Sequence, residues 1–275
     1  MTDISTLTLI TTFSSVLCYA IAVVQLFISH RANPQQEQTP AKQAFPVWGL
    51  LGAVLHLLTI TLDAIDHQGL SSSLFDALSI TAFIVISMGL IAQTRYPLRA
   101  MLLPAFIIAI ACLILASCYS DHTPILATSP GMLTHILSSI IAYSLLSLAT
   151  LLALTLQIVE RGLKDHREIS WVRQLPALVT MEKLLFQLIT AGWLILTAAI
   201  LSGGIFIEDI FAQHLAHKTL FTIISWLLYG LLLIGRHNYG WRGSIAIKLA
   251  IAAFLALLIA YFGSKFVLEI LLQQA

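Results

Sequence analysis

Long apolar stretches separated by short polar connections dominate this chain of 275 residues. A helix that spans a membrane needs roughly 20 predominantly apolar residues, and stretches of that length occur eight times. Their predicted bounds are 6–29, 46–65, 74–94, 99–119, 132–159, 184–206, 218–236 and 244–268. The pattern therefore predicts an all-α, polytopic membrane protein with eight transmembrane helices, forming a single integral membrane domain over residues 1–275.

The longest polar connection, 160–183, mixes charged residues with apolar ones such as Trp171, Leu175 and Leu178. Such a mixture is typical of an amphipathic segment at a membrane surface. Two interpretations stay open. The connection contains either a short surface helix, which Pro176 would interrupt, or an irregular loop.

Composition supports the membrane class and excludes several functions. Hydrophobic residues make up 59% of the chain and charged residues 10%, against about 25% charged residues in soluble domains; the mean hydropathy is +0.93. A net charge of +1 argues against a nucleic-acid partner. The sequence contains no P-loop, HExxH motif, nucleophile elbow or CxxCH motif. We therefore expect a protein that is not an enzyme and carries no covalent haem.

The basic residues are concentrated on one side of the predicted helices. Basic residues are enriched in the cytoplasmic connections of membrane proteins, so this bias predicts that both termini of the multi-pass chain are periplasmic. The opposite side holds only Lys218 and Lys265. The predicted cytoplasmic side holds Arg31, Lys42, Arg95, Arg99, Arg161, Lys164, Arg167, Arg173, Lys183, Arg236, Arg242 and Lys248.

Three histidines, His56, His135 and His217, lie in or at the edge of apolar segments. Ionisable side chains at membrane depth are costly and usually functional, and imidazoles bind metals and haem iron. We expect all three to face the interior of the helix bundle, with His135 and His217 close together near the outer surface. For His56, which shares a helix face with Thr59 and Asp63, a hydrogen bond to a neighbouring helix is an equal alternative.

Further candidate residues lie on the same predicted side. Tyr143 follows His135 on one helix face and either bonds a ligand or pairs with another helix. Gly203 and Gly204 either leave room for a flat ligand or simply end a helix. Lys218 either pairs with a ligand carboxylate or with the acidic residues of the preceding connection, Glu208 and Asp209.

The second half of the chain resembles a known family. The stretches that carry the resemblance are THILSSIIAYSLL (134–146), MEKLLFQLITAGWLILTAAILSGGIF (181–206), HKTLFTIISWLLYGLLLIGR (217–236), GWRG (240–243) and AYFGSKFVLE (260–269). Together they resemble the cytochrome c assembly superfamily of haem-handling membrane proteins, which includes the CcsA-, CcmC- and CcmF-type proteins. The chain looks most like YpjD-type inner-membrane proteins and is similar in size and layout to HemX-type proteins.

The resemblance implies haem b as the cofactor, with His135 and His217 as ligands of the iron and His56 as a further candidate. In this superfamily, two histidines flank an outer tryptophan-rich loop that holds haem. His135 matches the first histidine, and His217 falls near the second half of that loop without matching the second histidine. The tryptophan-rich motif itself is replaced by FIEDIFAQH at 206–214.

The sequence leaves three functions open. The first is binding or handling of haem, with haem, the lipid bilayer and a membrane or haem-pathway protein as the expected partners. The second is a membrane scaffold or regulator that binds no haem stably, as the HemX-type resemblance implies. The third is a transporter of ions or small molecules that uses the stripe of His56 and Asp63.

Overall fold

The computed structural model describes residues 4–32, 46–69, 73–96, 99–119, 130–164, 175, 177–206 and 213–263. Among these residues all regular structure is helical. The helices are α1 (Ile4–Ala32), α2 (Val47–Asp66), α3 (Leu74–Gln93), α4 (Arg99–Cys118), α5 (Pro130–Lys164), α6 (Leu178–Phe206), α7 (Gln213–Tyr239) and α8 (Ser244–Leu258). In this described part of the chain, all eight are long and apolar enough to cross a membrane. The predicted all-α fold with eight membrane helices is confirmed.

Three helices extend well beyond the apolar stretches that predicted them. α5 continues to Lys164, α6 begins at Leu178, and α7 begins at Gln213. Hydropathy marks only the part of a helix that lies in hydrocarbon, whereas long polar side chains at its ends reach the interface and let the helix continue. The predicted connection 160–183 is therefore helical at both ends. Residues 165–174 and 176 lie outside the described residues, so the choice between a surface helix and a loop stays open.

The last helix departs from α-helical geometry near its end. α8 stops at Leu258, and the chain continues as one π-helical turn, Ile259–Gly263. Such turns are rare and often occur at functional sites. The expected end of this helix, 264–268, lies outside the described residues.

By their contacts, the helices divide into two compact units. We call them the first helical unit, which contains α1 to α4, and the second helical unit, which contains α5 to α8. That the chain forms a single integral membrane domain stays a prediction.

Aromatic rings fill the core of the first helical unit. α1 packs against both α2 and α4, and α3 packs against α4. Tyr19 of α1 stacks on Phe106 of α4 with 5.4 Å between the ring centroids. These rings lie against Gly49 and Gly52 of α2, where a Cβ atom would collide with Phe106 and Tyr19 respectively. Small residues on one face of α2 thus let α1 and α4 approach it closely.

In the second helical unit, α5 packs along α6 and also contacts α8, while α7 packs against α8 and α6. The buried side chain of Leu146 on α5 lies over Gly192 of α6. Tyr143 of α5 donates a hydrogen bond to the backbone carbonyl of Leu257 on α8, with 2.7 Å between the oxygens. These contacts bring the start of α5, the end of α6, the start of α7 and the end of α8 to one end of the unit.

Candidate functional site

His56 is completely buried in the first helical unit, and both of its ring nitrogens make hydrogen bonds. Nδ1 lies 3.3 Å from Tyr19 Oη, and Nε2 lies 2.9 Å from Ser79 Oγ. The ring also makes edge contacts with Tyr19 and Phe83. Of the two roles considered for His56, metal ligand or hydrogen-bond partner of a neighbouring helix, the structure shows the second. Neither nitrogen is therefore available to iron in this arrangement.

The polar stripe that follows His56 along α2 also faces the interior of the first helical unit. Thr59 donates a hydrogen bond to Thr11 of α1, with 3.0 Å between the hydroxyl oxygens. Asp63 lies beyond it, 3.5 Å from Nδ1 of His67. Both Thr59 and Asp63 border a cavity of about 310 Å³. The stripe therefore joins helices to each other at its deep end and meets a polar cavity at its outer end.

His135 occupies a different kind of environment, in the second helical unit. It lies in the second turn of α5, is partly buried, and reaches across to the last turns of α6. Its Nδ1 atom is 2.8 Å from the carbonyl oxygen of Ala199 and 3.4 Å from Ser202 Oγ. The first of these is a short bond between two helices, and it fixes the orientation of the ring.

The bond to Ala199 also determines which nitrogen of His135 carries the proton. A carbonyl oxygen can only accept a hydrogen bond, so Nδ1 must donate, and in the neutral ring Nε2 then holds the lone pair. Among the described residues, Nε2 of His135 has no hydrogen-bond partner. A histidine that ligates a metal usually donates its other N–H to a carbonyl or carboxylate in this way. His135 is therefore oriented and protonated as a metal ligand would be.

Gly203 and Gly204, next to each other near the end of α6, have different surroundings. Gly203 is buried, and a Cβ atom there would lie 2.9 Å from Cε1 and 3.1 Å from Nδ1 of His135. Gly204 is exposed, and a Cβ atom there would meet nothing within 4 Å. Gly203 is thus what lets the imidazole of His135 lie flat against α6, while Gly204 has no such role in the unit.

Lys218 and two tyrosines complete the group around His135. Lys218 lies at the start of α7, and its Nζ atom is 4.7 Å from the ring centroid of Tyr261. Tyr261 belongs to the π-helical turn and packs against Tyr143, with 5.8 Å between ring centroids. We call His135, Ser202, Gly203, Lys218 and Tyr261 the His135 cluster. It combines an oriented imidazole, a cation and aromatic surface at one end of the unit.

One predicted site residue, His217, occupies a position that differs from expectation, and Tyr143 follows one of its two predicted alternatives. His217 was expected to face the interior, but it is exposed on α7. Successive helical residues point about 100° apart, as 3.6 residues per turn require, and it is Lys218 that turns toward the His135 cluster. Tyr143 uses its hydroxyl group to bond Leu257. The helix-pairing alternative for Tyr143 is therefore the one that the structure shows.

The partners proposed for Lys218 in the preceding connection, Glu208 and Asp209, lie outside the described residues. No group of three or more His, Cys, Asp or Glu side chains in the described part of the chain could hold a metal ion. The described side chains therefore do not form a metal site built from protein ligands alone. A prosthetic group whose own ring supplies most of the iron ligands needs only one or two histidines.

A stacked tryptophan pair was not predicted from the sequence. It lies nearer the middle of α6 and α7 than the His135 cluster does. Trp193 of α6 and Trp226 of α7 stack with 5.4 Å between ring centroids. Trp193 Nε1 donates to the carbonyl of Trp226 at 3.0 Å, and Trp226 Nε1 donates to Thr197 Oγ1 at 2.8 Å. The sequence contains one indication of this pair. Both tryptophans lie at the middle of predicted spans, whereas tryptophans are usually enriched at the membrane interface.

Comparison with known proteins shows which proteins this chain is similar to. The chain is 28% identical to the inner membrane protein YpjD of Escherichia coli K12 over 207 residues, which cover 74% of the chain and 78% of that relative. It is 29% identical to a 28.8 kDa protein of Azospirillum brasilense over 210 residues, 75% of the chain and 77% of the relative. It is 32% identical to the cytochrome c biogenesis protein CcsA of Prochlorococcus marinus NATL1A over 85 residues, 30% of the chain and 27% of the relative.

No solved structure gives a significant match to the chain. The profile of the cytochrome C assembly protein family matches residues 47–272, which include seven of the eight helices and the whole His135 cluster. The eight apolar helices, the relatives and this match agree with the resemblance noted in the sequence. The chain is a multi-pass membrane protein that belongs to the cytochrome c assembly protein family.

Proposed function

We propose that this protein handles haem in the bacterial inner membrane, in a role related to cytochrome c assembly, and that haem b binds at the His135 cluster. The observation that carries the proposal is the bond from His135 Nδ1 to the carbonyl of Ala199 at 2.8 Å. It presents Nε2 with its lone pair and holds the ring still, which is how proteins prepare an axial histidine. The family and the inner-membrane relative support the cellular setting.

The residues of the cluster fit the chemistry of haem. His135 would ligate the iron through Nε2, and the ammonium group of Lys218 would pair with a propionate, the anionic edge of the ring. Gly203 leaves room for the imidazole that a larger residue would displace. Tyr261 offers an aromatic face beside Lys218, from which a porphyrin gains apolar contact. When bound, haem supplies the iron and the conjugated ring, and the protein supplies binding, orientation and shielding from water.

His217 is the proposed second ligand. It directly precedes Lys218 at the start of α7, and its exposed side chain leaves the imidazole accessible. With haem bound, His217 would supply a second imidazole to the iron beside that of His135. An exposed ligand on α7 would make the site easy to open, which suits a protein that passes haem on rather than storing it.

The orientation of the site is part of the proposal. The distribution of Lys and Arg predicts that the His135 cluster faces the periplasm. The relative CcsA is named for cytochrome c biogenesis. In this orientation the protein would present haem at the periplasmic end of its helices.

A haemin titration of the detergent-purified full chain tests this function. We expect wild-type protein to bind haemin with a Soret band and to retain it through size-exclusion chromatography. His135→Ala should lose the retained haem. His237→Ala is the matched control, because His237 is an exposed histidine at the opposite end of α7. If wild-type protein retains no haem, or if both variants behave alike, the scaffold function that the missing tryptophans favour replaces this one.

A further inference from the structure

The second helical unit has a groove at the end opposite the His135 cluster. It lies where α6 begins and α7 ends, and its volume is about 680 Å³. We propose that this groove binds one anionic phospholipid, with an acyl chain along α6 and the phosphate at the basic mouth of the groove. This inference is independent of haem binding, because it involves no residue of the His135 cluster.

The floor of the groove is apolar and follows the helix axis. Phe186, Ala191 and Leu194 lie along it on α6. At a rise of 1.5 Å per residue, the stretch from Phe186 to Leu194 is about 12 Å long. Half of a bilayer's hydrocarbon core is about 15 Å thick. The floor is therefore long enough to contact most of one acyl chain within a single leaflet.

The mouth of the groove carries an excess of positive charge. Lys183, Arg236 and Arg242 border it, against one acidic residue, Glu182. The Glu182 carboxylate is already engaged, because it accepts the backbone N–H of Gly243 at 3.0 Å and lies 3.9 Å from Nε of Arg242. Lys183 is exposed and forms no ion pair within the described residues. A phosphate at the mouth would thus meet a net positive charge, because three basic residues face one acidic residue there.

Arg236 is held in place at the centre of this mouth. Its guanidinium carbon lies 4.6 Å from the ring centroid of Phe186, and Nη1 donates to the carbonyl of Trp241 at 3.2 Å. A guanidinium group has five N–H donors, so this bond leaves donors for a second partner. Because the group is already ordered, little side-chain entropy would be lost when a phosphate binds.

The position of the groove in the membrane favours a lipid as its occupant. Tyr239 and Trp241 stack beside it with 6.1 Å between ring centroids, and Tyr239 is exposed, as is typical of aromatic residues at the interface. This end of the helices is predicted to be cytoplasmic, where basic clusters attract anionic lipid headgroups. A zwitterionic lipid carries its own cation, which would oppose Arg236 and Lys183. We therefore expect selectivity for net negative headgroups.

Native mass spectrometry of the full chain in detergent, with phosphatidylglycerol or phosphatidylcholine added, tests the proposal. We expect a retained phosphatidylglycerol and weaker retention of phosphatidylcholine. Lys183→Gln with Arg242→Gln changes two exposed side chains, so folding should be preserved. At about fivefold in affinity per basic residue near a membrane surface, this double variant should bind phosphatidylglycerol about thirtyfold more weakly. Arg236→Gln should lower the affinity further.

Lys248→Gln provides the matched control, since Lys248 is an exposed basic residue near the start of α8 and does not border the groove. Its phosphatidylglycerol affinity should equal that of wild type. The proposal is overturned if phosphatidylcholine binds as tightly as phosphatidylglycerol, or if Lys248→Gln weakens binding as much as the double variant. Either result would mean that the groove binds a protein segment or bulk lipid instead of an anionic phospholipid.

Discussion

His135 and Ala199 join α5 to α6 through one short bond, 2.8 Å from Nδ1 to the carbonyl oxygen. The contrast with His56 defines what this bond does. His56 uses both ring nitrogens within the first helical unit, bonding Tyr19 and Ser79. His135 uses Nδ1 to bond Ala199, and its Nε2 atom has no hydrogen-bond partner among the described residues. One histidine thus uses both ring nitrogens in helix packing, and the other uses only one.

Gly203→Ala should weaken haem binding at the His135 cluster. The new Cβ atom would lie 2.9 Å from Cε1 of His135, so the imidazole must move away from α6 and its bond to Ala199 must lengthen. Changes to groups that orient a metal ligand typically cost about 10–100-fold in affinity. A haemin titration measures the effect. Gly204→Ala, with no atom within 4 Å of the new Cβ, should bind like wild type, and an equal loss in both variants would refute the role of Gly203.

Lys218→Gln should lower haem affinity moderately without abolishing binding. A partly exposed ion pair contributes roughly 1 kcal/mol, which corresponds to about fivefold in affinity. The loss should shrink at high salt, because screening weakens the pair that the substitution removes. Comparison of titrations at low and high ionic strength measures this. A salt-independent loss would instead indicate that Lys218 acts through its packing on Tyr261.

His56→Ala should destabilise the protein and leave the haem spectrum per folded molecule unchanged. The substitution leaves the buried Ser79 hydroxyl without its bond to the imidazole, at a cost of about 1–3 kcal/mol, and it creates a cavity beside Phe83. Thermal unfolding in detergent should show a lower midpoint than for Leu57→Ala, a half-exposed neighbour on the same helix. Loss of the Soret band in folded His56→Ala protein would restore His56 as a candidate ligand.

Reporter fusions test the orientation of the helices. The concentration of basic residues on one side predicts a cytoplasmic signal for a fusion at residue 170 and a periplasmic signal for one at residue 125. A pair of reporters that are active in opposite compartments provides the internal control. The reverse pattern would place the His135 cluster at the cytoplasmic surface and would remove the argument that haem is presented to the periplasm.

The number and order of the helices were predictable because the bilayer leaves few alternatives. Backbone groups in hydrocarbon must bond within the segment, so each long apolar stretch becomes a helix. The helix ends were less predictable, since hydropathy does not register the polar turns by which α5 reaches Lys164 and α6 begins at Leu178.

The roles of individual side chains could not be predicted from the sequence, because they depend on contacts between helices. His56 and His135 look alike as single histidines in apolar segments, and only their partners on other helices separate them. His217 and Lys218 are neighbours in the chain, but the rotation of α7 turns Lys218 toward the ring of Tyr261 and leaves His217 exposed. The stacking of Trp193 on Trp226 likewise depends on how α6 meets α7.

The most direct test of the central claim is rescue of His135→Gly by free imidazole. The variant removes the proposed ligand and leaves a space of its size, so added imidazole can occupy the vacant position beside Gly203. We predict that His135→Gly purified with haemin loses the Soret band that co-elutes with the protein, and that imidazole restores it. If His135→Gly retains haem as wild type does, or if imidazole restores no co-eluting band in a folded variant that has lost it, His135 is not the ligand of the iron.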